Sequence, residues 1–195
     1  FKYQVVSFRE KQVDSLEKKL REDPKLKKLS LKSVQEIDDL AGCRIIFYTD
    51  DDVQRFVNHI YKEFKVVKHN LKYSEDDYNA LHLVVELKKD RLKLSEYAKF
   101  KRLRCEVQLT TLLYHAWSEM AHGVVYKPEK DLLEFDKRAF NSLKKQFSEV
   151  MKKHLKEAQY TFNFIAKEIE KIKQGKQVFN TDFLKSIVES KSNNL

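Results

Sequence analysis

One stretch near the middle of the chain changes from the periodicity of a strand to that of a helix without a break. Residues 103–109 alternate between apolar and polar side chains, which predicts a strand with Glu106 and Gln108 on one face. From about residue 110 to 122 the apolar spacing becomes three and four residues, which predicts a helix. A polar strand face that leads into such a helix builds a cleft. We expect the opposite face of the strand to be buried, and it comprises Leu103, Cys105, Val107 and Leu109.

The predicted helix carries a polar stripe. Thr111, His115, Glu119 and His122 follow one another at spacings of four, four and three residues, which places them on one face. One interpretation is a metal-hydrolase site made of the two histidines and the glutamate. The sequence lacks the His-Glu-x-x-His pattern typical of zinc hydrolases, so we favour a stripe that lines the cleft.

A second candidate carboxylate precedes another predicted strand, residues 43–48. We interpret Asp38 as a solvated turn residue and Asp39 as a functional one, because Gly42 and Arg44 follow it. Two carboxylates from different strands, with arginines and lysines nearby, suit Mg²⁺-dependent phosphoryl transfer. The metal takes one or two protein carboxylates and completes its shell with water and phosphates, while cationic side chains neutralise the charge that develops.

The whole chain is predicted to be α/β (α+β): a mixed sheet of about five strands with helices packed on it, followed by a long helical region. The domain boundary is placed after Pro128, giving residues 1–128 and 129–195. We predict strands at 3–9, 43–48, 65–68, 80–87 and 103–109, helices at 13–22, 52–63 and 110–122, and a loop at 70–77.

Beyond Pro128, apolar residues recur at steps of three and four from Leu132 to Ile172. This pattern predicts one very long helix or a helical hairpin broken near residues 154–160, with a short last helix capped at residues 180–182. The tail is either a lid on the sheet or a surface for self-association or a partner protein.

Composition bounds the partners and the compartment. The net charge of +9 favours anionic partners such as nucleotides, RNA or acidic protein surfaces. Cys43 and Cys105 both fall in predicted strands, so we expect core thiols in a reducing compartment, with no disulfide. No apolar run approaches the roughly 20 residues of a membrane span. We therefore expect a cytoplasmic protein without a membrane partner.

Four motifs, in order, resemble the RelA/SpoT synthetase domain over residues 5–128, especially the small single-domain alarmone synthetases. The first is Arg-Glu-Lys-Gln-Val-Asp-Ser-Leu at 9–16, with Lys19 further along. Asp-Leu-Ala-Gly-Cys-Arg follows at 39–44, and Cys-Glu-Val-Gln-Leu-Thr-Thr at 105–111. The helix that closes the last motif carries His-Ala-Trp-Ser-Glu at 115–119 and runs on from His122 to Lys127.

The resemblance implies a nucleotidyltransferase-like fold in which pyrophosphate passes from ATP to the ribose 3′-hydroxyl of GDP or GTP, making the alarmone (p)ppGpp. By the same resemblance, Asp39 and Glu106 are catalytic and hold Mg²⁺. The implied ATP-binding residues are Arg9, Lys11, Lys19 and Arg44, and the implied acceptor-binding residues are Tyr78, Asn79, His82, Gln108, His115 and His122.

The acceptor side departs from the family pattern. Asp-Tyr-Asn-Ala-Leu-His at 77–82 keeps Tyr78 and His82 but lacks the glycine, arginine and serine of the family loop, and Thr110 stands where the family has arginine. An altered acceptor loop with basic patches suits toxic relatives that pyrophosphorylate the 3′ CCA end of tRNA, so tRNA is an alternative acceptor. A second alternative is a degenerate domain that only binds a nucleotide or a partner. The tail would serve a homo-oligomer, an antitoxin or a regulatory partner.

Overall fold

The computed structural model describes residues 1–22, 37–73, 79–125 and 137–176. A mixed five-stranded sheet lies at its centre, as the sequence predicts. In spatial order the strands are β1, β2, β5, β4 and β3. Their bounds are Tyr3–Glu10 for β1, Ala41–Phe47 for β2, Phe64–Tyr73 for β3, Asn79–Leu87 for β4 and Cys105–Thr111 for β5.

The central strand, β5, runs parallel to its neighbour β2, and the other neighbouring strands run antiparallel. Gly42 lies opposite Glu106, and Arg44 lies opposite Gln108. On the far side of β5, Gln108 lies opposite His82. Because paired residues point to the same face, these polar side chains share one side of the sheet.

The other face of the sheet is the apolar core. Helix α2, Asp50–Glu63, packs its apolar stripe against it. The N-terminus of this helix is capped by Thr49, whose hydroxyl accepts a hydrogen bond from the backbone of Asp52. The core comprises Ile45, Phe47, Val53, Val57, Ile60, Leu81, Leu83, Val85 and Leu109. Cys43 and Cys105 are half-buried free thiols that pack against this core.

Two strands differ from the sequence prediction. Strand β3 is longer than the predicted 65–68 and includes residues 70–73, which were expected to be a loop. Its register shifts between Val66 and Lys68, and such a bulge interrupts the two-residue alternation on which the prediction rested. Strand β5 begins at Cys105, so Leu103 lies before it and is 42% exposed rather than buried. Residues 74–77 of the predicted loop lie outside the described residues.

Within the described residues before the tail, the other helices are α1 (Val13–Glu22), a short 3₁₀ turn (Arg91–Lys93), α3 (Ser95–Ala98) and α4 (Leu112–Met120), and a π-helical turn follows α4 at Ala121–Val125. In the tail, α5 (Lys137–Val150) continues through a π-helical turn at Met151–Leu155 into α6 (Lys156–Lys173). The linking residues have helical backbone angles, so the hairpin alternative is wrong: the tail is one continuous helix from 137 to 173. The predicted cap at 180–182 lies outside the described residues.

The tail helix packs on the α/β part through an apolar contact and a polar one. Trp117 of α4 stacks on Phe147, with ring centroids 5.2 Å apart, and Met151 is fully buried beside them. Further along, Thr111 Oγ1 donates a hydrogen bond to Gln159 Oε1 over 2.8 Å, at the end of β5. Asn163 exchanges two hydrogen bonds with Asp50, at the start of α2.

These contacts support the interpretation of the tail as a cover for the sheet. They leave an apolar stripe of α6 exposed, made of Phe162, Ile165, Ile169 and Ile172. Within the described residues, no helix is both long and apolar enough to cross a membrane.

Candidate active site

Glu106 lies on the polar face of β5, and both of its carboxylate oxygens are engaged. Nε2 of Gln108 donates to its Oε2 over 2.8 Å, and Nδ1 of His82 lies 2.9 Å from its Oε1. The side chain is only 15% exposed. Because His82 and Gln108 stand side by side on paired strands, the sheet itself fixes the orientation of this carboxylate.

Arg9 reaches Glu106 by crossing over a glycine. Residues 9, 42 and 106 form a row on three neighbouring strands, and Arg9 Nη2 lies 3.5 Å from Glu106 Oε2. A Cβ added at Gly42 would lie 3.1 Å from both Cγ and Nε of Arg9, closer than ordinary van der Waals contact. Because Gly42 has no side chain, space remains above it for Arg9 to reach the carboxylate of Glu106.

Asp39 lies in the turn before β2 and is held by two lysines. Lys11 Nζ donates to its Oδ2 and Lys19 Nζ to its Oδ1, each over 2.8 Å. Burial raises the pKa of this carboxyl, but the hydrogen bonds and charges of the two lysines outweigh that effect, so its pKa lies below the usual value. Asp39 is therefore a carboxylate at neutral pH.

Arg44 links the sheet to α4. Its Nε donates to Gln108 Oε1 and its Nη1 to Glu119 Oε1, both over 3.1 Å. His115 lies one turn before Glu119, with its Nδ1 3.8 Å from the same carboxylate oxygen. Burial and the charge of Arg44 lower the pKa of His115, against the smaller opposite effect of Glu119, so the ring is neutral at neutral pH.

A sequence profile described as the region found in RelA and SpoT proteins matches residues 8–131, which is well over half of the chain. The chain belongs to the RelA/SpoT family. It is 28% identical over 172 residues to the GTP pyrophosphokinase YjbM of Bacillus subtilis, covering 82% of this chain and 77% of that protein.

Solved structures with the same fold include the small alarmone synthetase 1 of Bacillus subtilis, with a TM-score of 0.62 and 24% identity over 87% of this chain and 82% of that one. The same enzyme bound to its product pppGpp aligns with a TM-score of 0.61 and 24% identity, covering 86% of this chain and 80% of that one. At this level of identity, the likeness concerns the fold.

Most of the site residues predicted from the sequence fall into two groups of contacts. One continuous set of contacts joins Arg9, Arg44, His82, Glu106 and Gln108, and it extends through Glu119 to His115. Lys11 and Lys19 converge on Asp39.

The structure agrees only in part with the polar stripe predicted on the helix at residues 110–122. Thr111 is the last residue of β5, is buried, and contacts the tail at Gln159, not the cleft. Successive side chains of a strand point to opposite faces, so Thr111 lies on the same face as Cys105 and Val107 and points away from Glu106. His122 is exposed in the turn that follows α4. Tyr78 lies outside the described residues, and Asn79 is the first residue of β4.

A second set of ion pairs, which the sequence did not predict, lies beside the site. Asp38, interpreted as a solvated turn residue, accepts a 2.9 Å hydrogen bond from Arg104 Nη1 and also contacts Lys68. Arg104 in turn binds Glu86, which Lys65 also contacts. These pairs tie the turn that carries Asp39 to strands β3 and β4. No local pattern predicts them, because 66 residues separate Asp38 from Arg104.

The two candidate metal ligands, Asp39 and Glu106, are mostly buried carboxylates surrounded by cationic and hydrogen-bond-donating groups. Their oxygen atoms are the kind of ligand that Mg²⁺ prefers, although side chains of the protein already engage them. Across the described ranges, no three His, Cys, Asp or Glu side chains are grouped closely enough to share a metal ion. A pair of carboxylates is sufficient for Mg²⁺ when phosphates and water complete its shell.

The two aspartates with opposite pKa shifts should influence acid stability in opposite directions. The pKa of Asp39 is lowered, so the stability it contributes is present above the unfolded value of 3.8 and is lost as pH falls through the lower folded pKa. Burial raises the pKa of Asp50, against the hydrogen bond from Asn163, so the folded protein gains relative stability as pH falls through that raised value. We expect Asp39→Asn to reduce the loss of stability between pH 6 and pH 3, and Asp50→Asn to increase it.

Urea denaturation of the wild type and the two variants at both pH values measures this difference. Equal pH dependence in all three proteins would contradict the contacts assigned to the two aspartates.

Proposed function

We propose that this protein transfers the β,γ-pyrophosphate of ATP to the ribose 3′-hydroxyl of GDP or GTP, which yields (p)ppGpp. The observation that carries the proposal is Glu106, fixed at both oxygens by His82 and Gln108 and flanked by Arg9 and Arg44. Membership of the RelA/SpoT family and the relative named GTP pyrophosphokinase support it.

The cationic side chains divide into two groups. Lys11 lies just before the first helix and Lys19 lies within it, whereas Arg9 and Arg44 project from neighbouring strands of the sheet. Cations on two sides of a cleft can bind a triphosphate and stabilise the charge that develops as pyrophosphate is transferred. Arginines suit this role because they donate planar pairs of hydrogen bonds to phosphate oxygens.

Asp39 and Glu106 are the residues that would hold Mg²⁺. When bound, the metal would neutralise phosphate charge and orient the triphosphate. On the acceptor side, His82 and Gln108 fix Glu106 beside the place for the attacking hydroxyl, and we propose that Tyr78 stacks on the acceptor base. A neutral His115 can donate or accept a hydrogen bond there without adding charge.

Replacement of Glu106 with Gln should separate catalysis from folding. We expect transfer of label from γ-³²P-ATP to GDP or GTP to fall at least about a hundredfold, because a lost carboxylate removes several kcal/mol of transition-state stabilisation. The side-chain volume is retained, so the melting temperature should stay within about 4 °C of wild type.

Glu96→Gln, at an exposed position of α3, is the matched control and should retain full transfer. Near-full turnover of Glu106→Gln would refute the assignment, and a large fall in its melting temperature would indicate a structural role. A wild type that binds ATP but labels no acceptor would favour the degenerate-domain alternative.

The alternative acceptor, the 3′ end of tRNA, would need surface beyond the cleft. The segment between β4 and β5 exposes Lys99, Lys101 and Arg102, and a second basic cluster at 25–28 lies outside the described residues. A mononucleotide would not extend to this surface, whereas the phosphates of a tRNA would pass over it.

Charge reversal separates the two acceptors. We expect Lys99→Glu combined with Lys101→Glu to leave GDP or GTP turnover within about threefold, because no phosphate contact of a nucleotide is lost. If tRNA is the acceptor, the same change should sharply lower both the labelling of tRNA ends and its salt dependence. The matched control is Lys145→Glu with Lys152→Glu on the tail, an equal charge change on exposed positions. Labelled tRNA with wild type that is lost only in the first variant would overturn the nucleotide proposal.

We also propose that the exposed stripe of α6 is an interface for self-association. Four large apolar side chains lie along one helix face, and each is at least 45% exposed. Exposed patches of this kind usually mark interfaces. Light scattering at micromolar concentration should show an oligomer that Ile169→Lys weakens and that Tyr160→Lys, at an exposed position on the opposite side of α6, does not. A wild-type monomer that captures no protein in a pull-down would contradict this proposal and the antitoxin alternative.

A further inference from the structure

The carboxylate of Asp39 is already occupied by cations that belong to the protein. Lys11 and Lys19 each donate to a different oxygen of Asp39, and the aspartate side chain is 18% exposed. Lys11 is as covered as the aspartate, whereas Lys19 is 36% exposed. The trio of one carboxylate and two ammonium groups therefore has a net positive charge.

This arrangement hinders a free divalent cation. A metal bound to either oxygen of Asp39 would lie next to two ammonium groups, and like charges at that separation repel strongly in a partly buried site. Asp38 does not relieve the excess, because Arg104 and Lys68 already bind it. Glu106, the other candidate ligand, is itself engaged by His82, Gln108 and Arg9.

The helix that carries Lys19 is attached in a way that permits the lysines to change partners. Helix α1 buries none of its residues, and Val13 at its start is 76% exposed. At its base, the backbone of Lys11 is anchored by a 2.9 Å hydrogen bond to Leu40, in the same turn as Asp39. The lysine side chains can therefore rotate towards a ligand while the turn stays in place.

We propose that Lys11 and Lys19 are built-in counter-cations that keep Asp39 closed to a divalent metal until the phosphates of a nucleoside triphosphate draw them away. This inference rests on the proposed function of the same site. A triphosphate offers the lysines more negative charge than one carboxylate, and their move exposes both oxygens of Asp39. Metal and nucleotide then bind with positive coupling, and each raises the affinity for the other by the same factor.

The test measures the binding of Mn²⁺ alone, without nucleotide, from the loss of the free-ion signal in electron paramagnetic resonance. We expect the wild type to show no saturable site that depends on Asp39. Lys19→Gln removes one of the two repelling charges, so the apparent affinity of this variant for Mn²⁺ should be at least about tenfold higher than that of the wild type. Lys18→Gln is the matched control: it is the neighbouring lysine on the same helix, it pairs with Glu22, and it should behave as wild type.

Two further variants make the result specific. Lys19→Gln combined with Asp39→Asn should lose the gained Mn²⁺ site, which identifies Asp39 as its ligand. Lys11→Gln should reproduce the gain and serves if Lys19→Gln fails to fold, as judged by thermal unfolding. Saturable binding by the wild type alone that Asp39→Asn abolishes would overturn the proposal. So would folded lysine variants that bind Mn²⁺ no better than the Lys18→Gln control.

The outcome is independent of the transfer assay, because no acceptor is present. Pyrophosphate transfer by the wild type, together with unchanged Mn²⁺ binding in the lysine variants, would refute this inference alone. Tighter Mn²⁺ binding by the variants of a protein that transfers nothing would refute the proposed function and leave the counter-cation role standing.

Discussion

The site depends on the parallel pairing of β2 with β5. This pairing places Gly42 beside Glu106 and Arg44 beside Gln108, so residues more than 60 positions apart in the chain become direct neighbours. The antiparallel strand β4 then adds His82 to the same row. A shift of one residue in the register of β2 and β5 would pair Glu106 with a residue whose side chain points to the apolar core. Burial of the apolar face therefore determines which polar side chains become neighbours on the other face, because Phe47, Leu83 and Leu109 can be buried in only one register.

The polar face of the sheet holds many charged side chains close together. Each carboxylate of the site is compensated by its own cations or hydrogen-bond donors, as Asp39 is by Lys11 and Lys19. Leaving a partly buried charge without a partner would be costly, so this compensation stabilises the folded protein. The same contacts must be exchanged when an anionic ligand binds, so stronger contacts among the side chains of the site lower its affinity for such a ligand.

Much of the architecture follows from local sequence patterns, and the failures have physical causes. Alternation predicted β5, and spacing of three and four residues predicted α1, α2 and most of α4. The bulge near Val66 hid the length of β3, and helical periodicity does not distinguish a continuous tail from a hairpin at a π-helical turn. At the site, Glu106, Asp39 and their cations could be chosen from motifs. The role of Asp38 could not, because its partner Arg104 becomes a neighbour only when the sheet has formed.

The docking of the tail has a consequence for how such sequences can vary. Gln159 is almost fully buried and bonds to Thr111 and Asn163, and Asn163 bonds to Asp50. Two amides, a hydroxyl and a carboxylate that share hydrogen bonds in a buried or half-buried contact cannot be replaced one at a time without leaving a polar atom unsatisfied. Substitutions at these positions should therefore occur together during evolution, and their correlated variation would record the docking of this tail in sequences alone. The exposed stripe of α6, which has no such partners within the described chain, is subject to no comparable pairwise constraint inside one molecule.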